Sequence, residues 1–113
     1  MTSECLFCRI ARGDIRTAFV AESDDAVAFR DINPQAPLHV LVIPRLHVES
    51  LDACDDNALL GSLMGMAARI AREQGIAEGG YRTVVNTGSD GGQSVSHLHI
   101  HVLGGRHMDW PPG

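Results

Sequence analysis

Alternating apolar and polar residues predict five β-strands along the chain. Segments 17–22 and 26–30 form two strands joined by a Ser-Asp-Asp turn, which is the pattern of a β-hairpin. Segment 38–43 is a strongly apolar strand stopped by a proline, and 81–86 forms a fourth strand. Segment 97–102 alternates histidine with aliphatic residues, so it predicts a fifth strand with the histidines on one face.

Helical spacing of apolar residues occurs in two segments. A short helix is predicted over 5–11, ended by Gly13. A long helix is predicted over 55–74, with acidic residues at its start, Gly75 as its C-terminal cap and one apolar face that packs on the core. The order hairpin, strand, long helix and two more strands predicts an α+β protein with a five-stranded, mostly antiparallel sheet.

Size and charge narrow the classes of function. The 113 residues, 44% of them hydrophobic, suffice for one domain over 1–113 and are too few for two. A core this small favours association between chains. The net charge is −5 and Lys and Arg form no cluster, which argues against nucleic-acid binding. One phosphate group is a different case, because backbone amides and histidines bind it without a basic surface.

The expected location is the cytoplasm, with no membrane partner. No apolar run approaches the ~20 residues of a transmembrane helix, and residues 1–8 lack the pattern of a signal peptide. The three cysteines are an odd number, which argues against a disulfide framework. Two of them, Cys5 and Cys8, form a C-x-x-C motif, and in a reducing compartment this spacing indicates metal or redox chemistry.

His97, His99 and His101 are the strongest candidates for chemistry. On a regular strand, neighbouring imidazoles of this set stand ~6.6 Å apart. Imidazole acts as a nucleophile, proton carrier or metal ligand near neutral pH. A further histidine, His39, lies in the apolar strand 38–43, on the face that also carries Leu41 and Ile43.

The loop that precedes these histidines, residues 88–94, is rich in glycine. Glycines let backbone N–H groups approach an anion closely, and Gln93 and Ser94 add polar side chains. A phosphate held by this loop would lie next to the imidazoles. The loop is a weak signal by itself, but together with the histidines it predicts a site where a nucleophile meets a phosphate.

Residues 92–103 resemble the histidine-triad (HIT) signature, in which single apolar residues separate three histidines. Segments 31–39 and 104–113 resemble one branch of that superfamily, the histidine-triad nucleotide-binding (Hint) proteins, which are purine nucleoside phosphoramidases. The similarity runs from Cys5 to Gly113. It implies a HIT-like fold with one long and one short helix, a homodimer whose two sheets join, and a purine nucleotide of the AMP or GMP type as ligand.

The resemblance also implies a two-step nucleotidyl transfer. His99 would attack the α-phosphorus of a purine nucleoside 5′-phosphoramidate, and water would hydrolyse the nucleotidyl-histidine that forms. His101 would bind the phosphate with support from His39, and Ser94 would assist the leaving group. The expected acceptor for the ribose hydroxyls is Asp31. The expected purine slot is formed by Phe7, Ile10, Phe29, Ile32 and Leu41. The expected phosphate contacts are Asn86, Gly92, Gln93 and Ser94. From the residues alone, the apolar members equally suit a core, and the Asp and Asn equally suit turns.

The C-x-x-C motif resembles the one found in bacterial-type members of the superfamily. There, the resemblance implies, the two thiolates join two histidines in a tetrahedral structural zinc site, which here comprises Cys5, Cys8, His47 and His97. The alternative is a pair of unligated cysteines in a helix. No organic cofactor is expected.

Three other functions stay open from the sequence. A dinucleoside polyphosphate hydrolase of the same superfamily would share the nucleophile and differ in the leaving group. A non-catalytic nucleotide sensor would use the same cleft without turnover. A metallohydrolase would use the histidine run as ligands and would need carboxylates beside an open metal position, whereas the nearest one in sequence is Asp90.

Overall fold

A five-stranded antiparallel sheet forms the middle layer of the structure, and a helix covers each of its faces. The coordinates are a computed structural model, and the structure describes residues 5–113. The elements are α1 Leu6–Arg12, β1 Phe19–Glu22, β2 Ala26–Arg30, β3 Leu38–Pro44, a 3₁₀ turn Leu51–Ala53, α2 Asn57–Glu73, β4 Tyr81–Val84 and β5 Ile100–Gly104. The strands lie in the sheet in the order β1-β2-β3-β5-β4. The predicted α+β architecture with one short and one long helix is confirmed, and every strand pair is antiparallel.

The two faces of the sheet divide the core according to the alternation in the sequence. In the central strand β3, Val40 and Val42 face the helix α2, whereas Leu41 and Ile43 face α1. The apolar stripe of α2 is buried against the first face, as predicted from its spacing. Each helix therefore stabilises the fold by burying one side of the same strands.

The ends of α1 and α2 follow local rules. Asp56 caps α2, because its side chain accepts a hydrogen bond of 3.0 Å from the backbone N–H of Leu59. The helix α1 ends at Gly13, whose φ of 85° is the left-handed conformation that glycine adopts without strain. Over residues 5–113, no helix is both long and apolar enough to cross a membrane.

Several predicted strand boundaries differ from the structure. The third and fifth strands end at Pro44 and Gly104, later than the predicted 43 and 102. The first strand begins at Phe19 and the fourth ends at Val84, so both are shorter than predicted. The prediction that regular strand pairing begins at His97 is wrong, because β5 begins at Ile100. Before that point the chain bonds elsewhere: the N–H of Leu98 donates to the carbonyl of Val48 at 2.7 Å. Tertiary contacts therefore replaced the ladder over these residues.

The predicted separation of the two chemical faces is nevertheless confirmed. The aliphatic residues Leu98, Ile100 and Val102 lie in the core on the α2 side. The rings of His97 and His99 both contact the side chain of Phe7 in α1, on the opposite side. The histidines therefore share one face although only His101 lies within β5.

Candidate active site and metal centre

An apolar cleft of about 510 Å³ lies between α1 and the sheet. Its polar groups include His99, His101 and Ser94, while α1, β2 and β3 supply apolar side chains. A concave site of this size, with few polar groups on apolar walls, is typical of small-molecule binding sites. The expected site residues that line it are Phe7, Ile10, Phe29, Asp31, Ile32, Leu41, Ser94, His99 and His101.

Six lining residues were not singled out from the sequence. Ile15 could have been identified from the sequence, because it is an apolar residue shortly after the glycine that ends α1. The others carry no pattern that separates them from an ordinary surface. The six are Leu6, Ile15, Arg16, Thr17, Arg30 and Val95.

His99 is buried, and one hydrogen bond fixes its tautomer. Its Nδ1 lies 2.7 Å from the carbonyl oxygen of His97. A carbonyl only accepts hydrogen bonds, so Nδ1 carries a proton, and in the neutral form of the ring Nε2 then keeps its lone pair. The ring of Phe7 lies edge-on to this imidazole, with 5.2 Å between ring centroids. His99 therefore has the protonation pattern of a nucleophile in a restrained orientation.

A chain of hydrogen bonds fixes the tautomers of His39 and His101. The backbone N–H of Gln35 donates to Nδ1 of His39 at 3.0 Å. Nε2 of His39 therefore carries the proton and donates to Nδ1 of His101 at 2.9 Å. The remaining N–H of His101, at Nε2, is buried and has no hydrogen-bond partner within the described part of the chain. A buried donor without a partner is costly, and a ligand oxygen in the cleft would satisfy it.

Burial keeps both of these imidazoles neutral at pH 7. The pKa of His101 is lowered to about 4, mainly by burial and further by the neighbouring His99 and His39, while the carboxylate of Asp31 opposes the shift. Burial also lowers the pKa of His39, and the carboxylate of Asp31, 3.4 Å from Nε2, works against this effect. Neutral rings can each donate one hydrogen bond and accept another, as the chain requires.

Asp31, His39 and His101 lie close enough together to suggest a second metal site. The hydrogen bond from Gln35 argues against it, because it occupies the Nδ1 lone pair of His39 and places the proton on the Nε2 that faces His101. These three residues therefore form a proton-ordered network and offer no open ligand set for a metallohydrolase.

The structure places other predicted nucleotide-binding residues away from the cleft lining. Asn86, Gly92 and Gln93 do not line it. The side chain of Gln93 is used inside the loop: it donates to the carbonyls of Glu49 and Val95 at 2.7 and 2.9 Å and accepts from the N–H of Gly88 at 3.0 Å. The amide thus shapes the turn that presents Ser94. Ile32 lines the mouth of the cleft and is fully exposed.

The structure brings together the four residues predicted to bind zinc. The Sγ of Cys5 lies 3.3 Å from Nδ1 of His97, and the Sγ of Cys8 lies 3.2 Å from Nδ1 of His47. The two Nδ1 atoms are 3.2 Å apart. In a zinc tetrahedron with Zn–N of ~2.0 Å and Zn–S of ~2.3 Å, ligand atoms lie ~3.3–3.8 Å apart. The cluster therefore has the spacing and the donor set of a closed structural zinc site.

His97 is prepared for a metal ligand's role by its other ring nitrogen. Nε2 donates to the carbonyl of Pro44 at 2.9 Å, so the lone pair is on Nδ1, which faces the cysteines. Burial lowers the pKa of this imidazole and raises the pKa of the Cys8 thiol, to which the neighbouring Cys5 adds. A divalent cation is the natural partner for such a cluster, because it stabilises adjacent thiolates.

The structure is therefore that of a small α+β protein with His99 and His101 side by side in a cleft of ligand size. The family model described as "HIT domain" matches residues 12–108. An uncharacterized HIT-like protein of Synechococcus elongatus is 49% identical over 115 residues, covering both chains completely. The chain therefore belongs to the HIT family.

Two further relatives agree with this assignment. A 14 kDa zinc-binding protein of Zea mays is 44% identical over 115 residues, which cover 98% of this chain and 89% of that protein. A crystal structure of a HIT family hydrolase from Legionella pneumophila superposes with a TM-score of 0.94 at 47% identity, covering 97% of this chain and 100% of that chain.

Proposed function

We propose that this protein hydrolyses the P–N bond of purine nucleoside 5′-phosphoramidates through a nucleotidyl-histidine intermediate. The observation that carries the proposal is the tautomer of His99, whose Nδ1 is bound to a carbonyl so that Nε2 keeps a lone pair. The unpartnered buried N–H of His101 lines the same cleft and supports it.

In the first step, Nε2 of His99 attacks the α-phosphorus, and an N–P bond to the histidine forms as the bond to the leaving amine breaks. The amine takes the electron pair of that bond and a proton that solvent water supplies through the hydroxyl of Ser94. The Nε2–H of His101 donates to a non-bridging oxygen and stabilises the charge that develops there.

In the second step, a water molecule attacks the phosphorus and Nε2 of His99 leaves with its electron pair. The nucleoside monophosphate is released, and the proton lost by the attacking water passes through the hydroxyl of Ser94 to solvent, which restores the proton consumed in the first step. His39 acts through His101, because its Nε2–H holds the His101 ring in the tautomer that leaves Nε2–H for the phosphate.

The other cleft residues suit the nucleoside half of the ligand. The Asp31 carboxylate would accept hydrogen bonds from the two ribose hydroxyls, in keeping with its position at the cleft. The apolar side chains of Phe7, Ile10 and Phe29 would pack on the purine faces. Apolar contacts of this kind bind both purines, so we expect AMP and GMP types to compete for the site.

The proposed cofactor is one structural zinc ion held by Cys5, Cys8, His47 and His97, which leave no position for a substrate. We place the protein in the cytoplasm, where these thiols stay reduced. We also propose a homodimer in which the edge strand β4 pairs with its copy, because an edge strand offers unpaired backbone groups. Sizing by light scattering tests the dimer.

The test is turnover of adenosine 5′-phosphoramidate by the wild type and by His99→Ala, with AMP release and the intact protein mass both measured. His107→Ala, an exposed histidine paired with Asp109, is the matched control. We expect AMP release and an adenylyl adduct in the wild type and the control only. Turnover by His99→Ala would refute the nucleophile assignment, and cleavage of a dinucleoside polyphosphate in place of the phosphoramidate would favour the alternative hydrolase.

A further inference from the structure

We propose that the metal centre and the nucleotide cleft are positively coupled, so that occupation of one site strengthens binding at the other and holds the nucleophile in position. This inference rests on the proposed function. His97 and Phe7 carry the coupling, because each belongs to one site and contacts the other. His97 is in the metal cluster and its carbonyl is hydrogen-bonded to His99. Phe7 lines the cleft and its ring contacts His97.

His97 is the first connection. Its Nδ1 faces the two cysteines, and its carbonyl accepts the hydrogen bond that fixes the tautomer of His99. Its second ring nitrogen, Nε2, donates to the carbonyl of Pro44 and anchors one edge of the imidazole. A ligand bond at Nδ1 would anchor the second edge, and a ring held at both edges restrains the backbone that carries the carbonyl.

Phe7 is the second connection. It lies between Cys5 and Cys8 in sequence, so its position depends on how the two thiolates are held. Its ring contacts the edges or faces of both His97 and His99, with centroid distances of 5.8 and 5.2 Å. The same ring lines the cleft. A shift of Phe7 would therefore change the purine slot and the orientation of the nucleophile together.

The short helix α1 makes this dependence strong. It has 7 residues, and its N-cap residue Cys5 makes no side-chain capping bond. A helix of this length has no stability of its own in water, so it keeps its place through tertiary contacts alone. Bonds from a metal to Cys5 and Cys8 would fix its first turn, whose Leu6 and Phe7 line the cleft.

Coupling between two binding sites is reciprocal by thermodynamic necessity. If zinc tightens AMP binding by some factor, AMP must tighten zinc binding by the same factor. Couplings of this kind typically amount to about 5–150-fold in affinity. The two affinity changes must therefore be equal, that of AMP caused by zinc and that of zinc caused by AMP. Partial unfolding or aggregation of the protein after chelation would not produce this equality.

The experiment measures AMP binding calorimetrically to the full chain, zinc-loaded and after chelation, at a temperature where circular dichroism shows both forms folded. Zinc affinity is then measured by competition with a chromophoric chelator, with and without saturating AMP. We expect AMP to bind at least about 5-fold more weakly to the zinc-free form and the zinc affinity to change by the same factor. Nitrogen-15 spectra of the histidines should show one His99 tautomer with zinc and exchange between two without it.

Three variants separate coupling from simple destabilisation. Cys8→Ser should bind AMP like the chelated wild type, whereas Cys54→Ser, at a cysteine outside the cluster, should keep the full coupling. Phe7→Leu should still bind zinc, but zinc should change its AMP affinity by a smaller factor than in the wild type. If Cys8→Ser does not fold, the chelation series on the wild type and Phe7→Leu decide alone.

Equal AMP affinities with and without zinc would overturn the inference and leave the proposed function intact. Absence of zinc binding would overturn it as well. Absence of AMP binding to both forms would overturn the inference and the proposed function together.

Discussion

The low pKa of His101 predicts a defined loss of stability in mild acid. In the folded protein its pKa is about 4, against an ordinary value of 6.5. Between these values the unfolded chain binds the proton and the folded chain does not, so the free energy of unfolding falls as the pH falls below 6.5. This contribution of His101 to the free energy of unfolding is complete above pH 6.5 and is lost progressively as the pH falls to about 4.

The shift of about 2.5 pH units sets a ceiling of about 3 kcal/mol, at 1.36 kcal/mol per unit. About 2 kcal/mol of this is reached by pH 5. His101 is only half-buried, and solvent screening reduces the effect, so we expect about 1 kcal/mol between pH 7.5 and pH 5.

The perturbation is His101→Gln, whose side-chain oxygen can still accept the hydrogen bond from His39. Urea unfolding is followed at several values between pH 5 and pH 7.5, above the range where most carboxylates titrate. Both proteins keep His39, His47 and His97, so the difference between their curves isolates residue 101. The wild type should lose about 1 kcal/mol more than the variant on going to pH 5. Parallel curves, or a variant that loses more, would refute the reasoning.

Three further changes test other parts of the structure by urea or thermal unfolding. Asp56→Ala removes the cap of α2 and should lower the free energy of unfolding by about 1 kcal/mol. Asp55→Ala leaves the cap in place and should lower it little, so equal losses in the two variants would argue against the cap. Gly91→Ala places a Cβ 2.4 Å from the backbone oxygen of Thr87 and should destabilise the loop by about 1–3 kcal/mol. The same change at Gly61, which faces open space in α2, should stabilise the protein by up to about 1 kcal/mol, so destabilisation at both glycines would contradict the clash. Chelation should lower the melting temperature of the zinc-loaded wild type but not that of a variant lacking both cluster cysteines, and an equal fall in both would show that the chelator acts elsewhere.

The sequence alone predicts much of the fold because the relevant signals are local. Alternation along β2 and β3, the spacing of apolar residues in α2 and the glycine that ends α1 depend only on neighbours a few residues away. The same holds for the separation of His99 and His101 from the aliphatic residues Leu98, Ile100 and Val102 that alternate with them. These features survive in the structure even where regular strand pairing does not.

The details of the candidate site depended on contacts between distant segments. Gln93 lies in a glycine-rich loop with the composition of an anion-binding loop. Its side chain nevertheless forms hydrogen bonds inside the loop and to the carbonyl of Glu49, which no local pattern indicates. The strand β5 begins at Ile100, and two residues before it the N–H of Leu98 donates to the carbonyl of the distant Val48. Such contacts are decided when the chain closes on itself and competing partners become available.

The sequence by itself determined which residues could carry chemistry: imidazoles on one face, two thiols one helical turn apart, and a glycine-rich loop before them. Only the tertiary structure decided which of their atoms are available. The register of β3 on β5 lets His39 hydrogen-bond His101, and α1 brings Cys5 to a residue 92 positions away. The tautomers of His97, His99 and His39 follow from backbone groups of Pro44, His97 and Gln35 that no pattern of residue types reveals. The physical reason is that residue type fixes what a side chain can donate or accept, whereas its partner depends on the folded backbone.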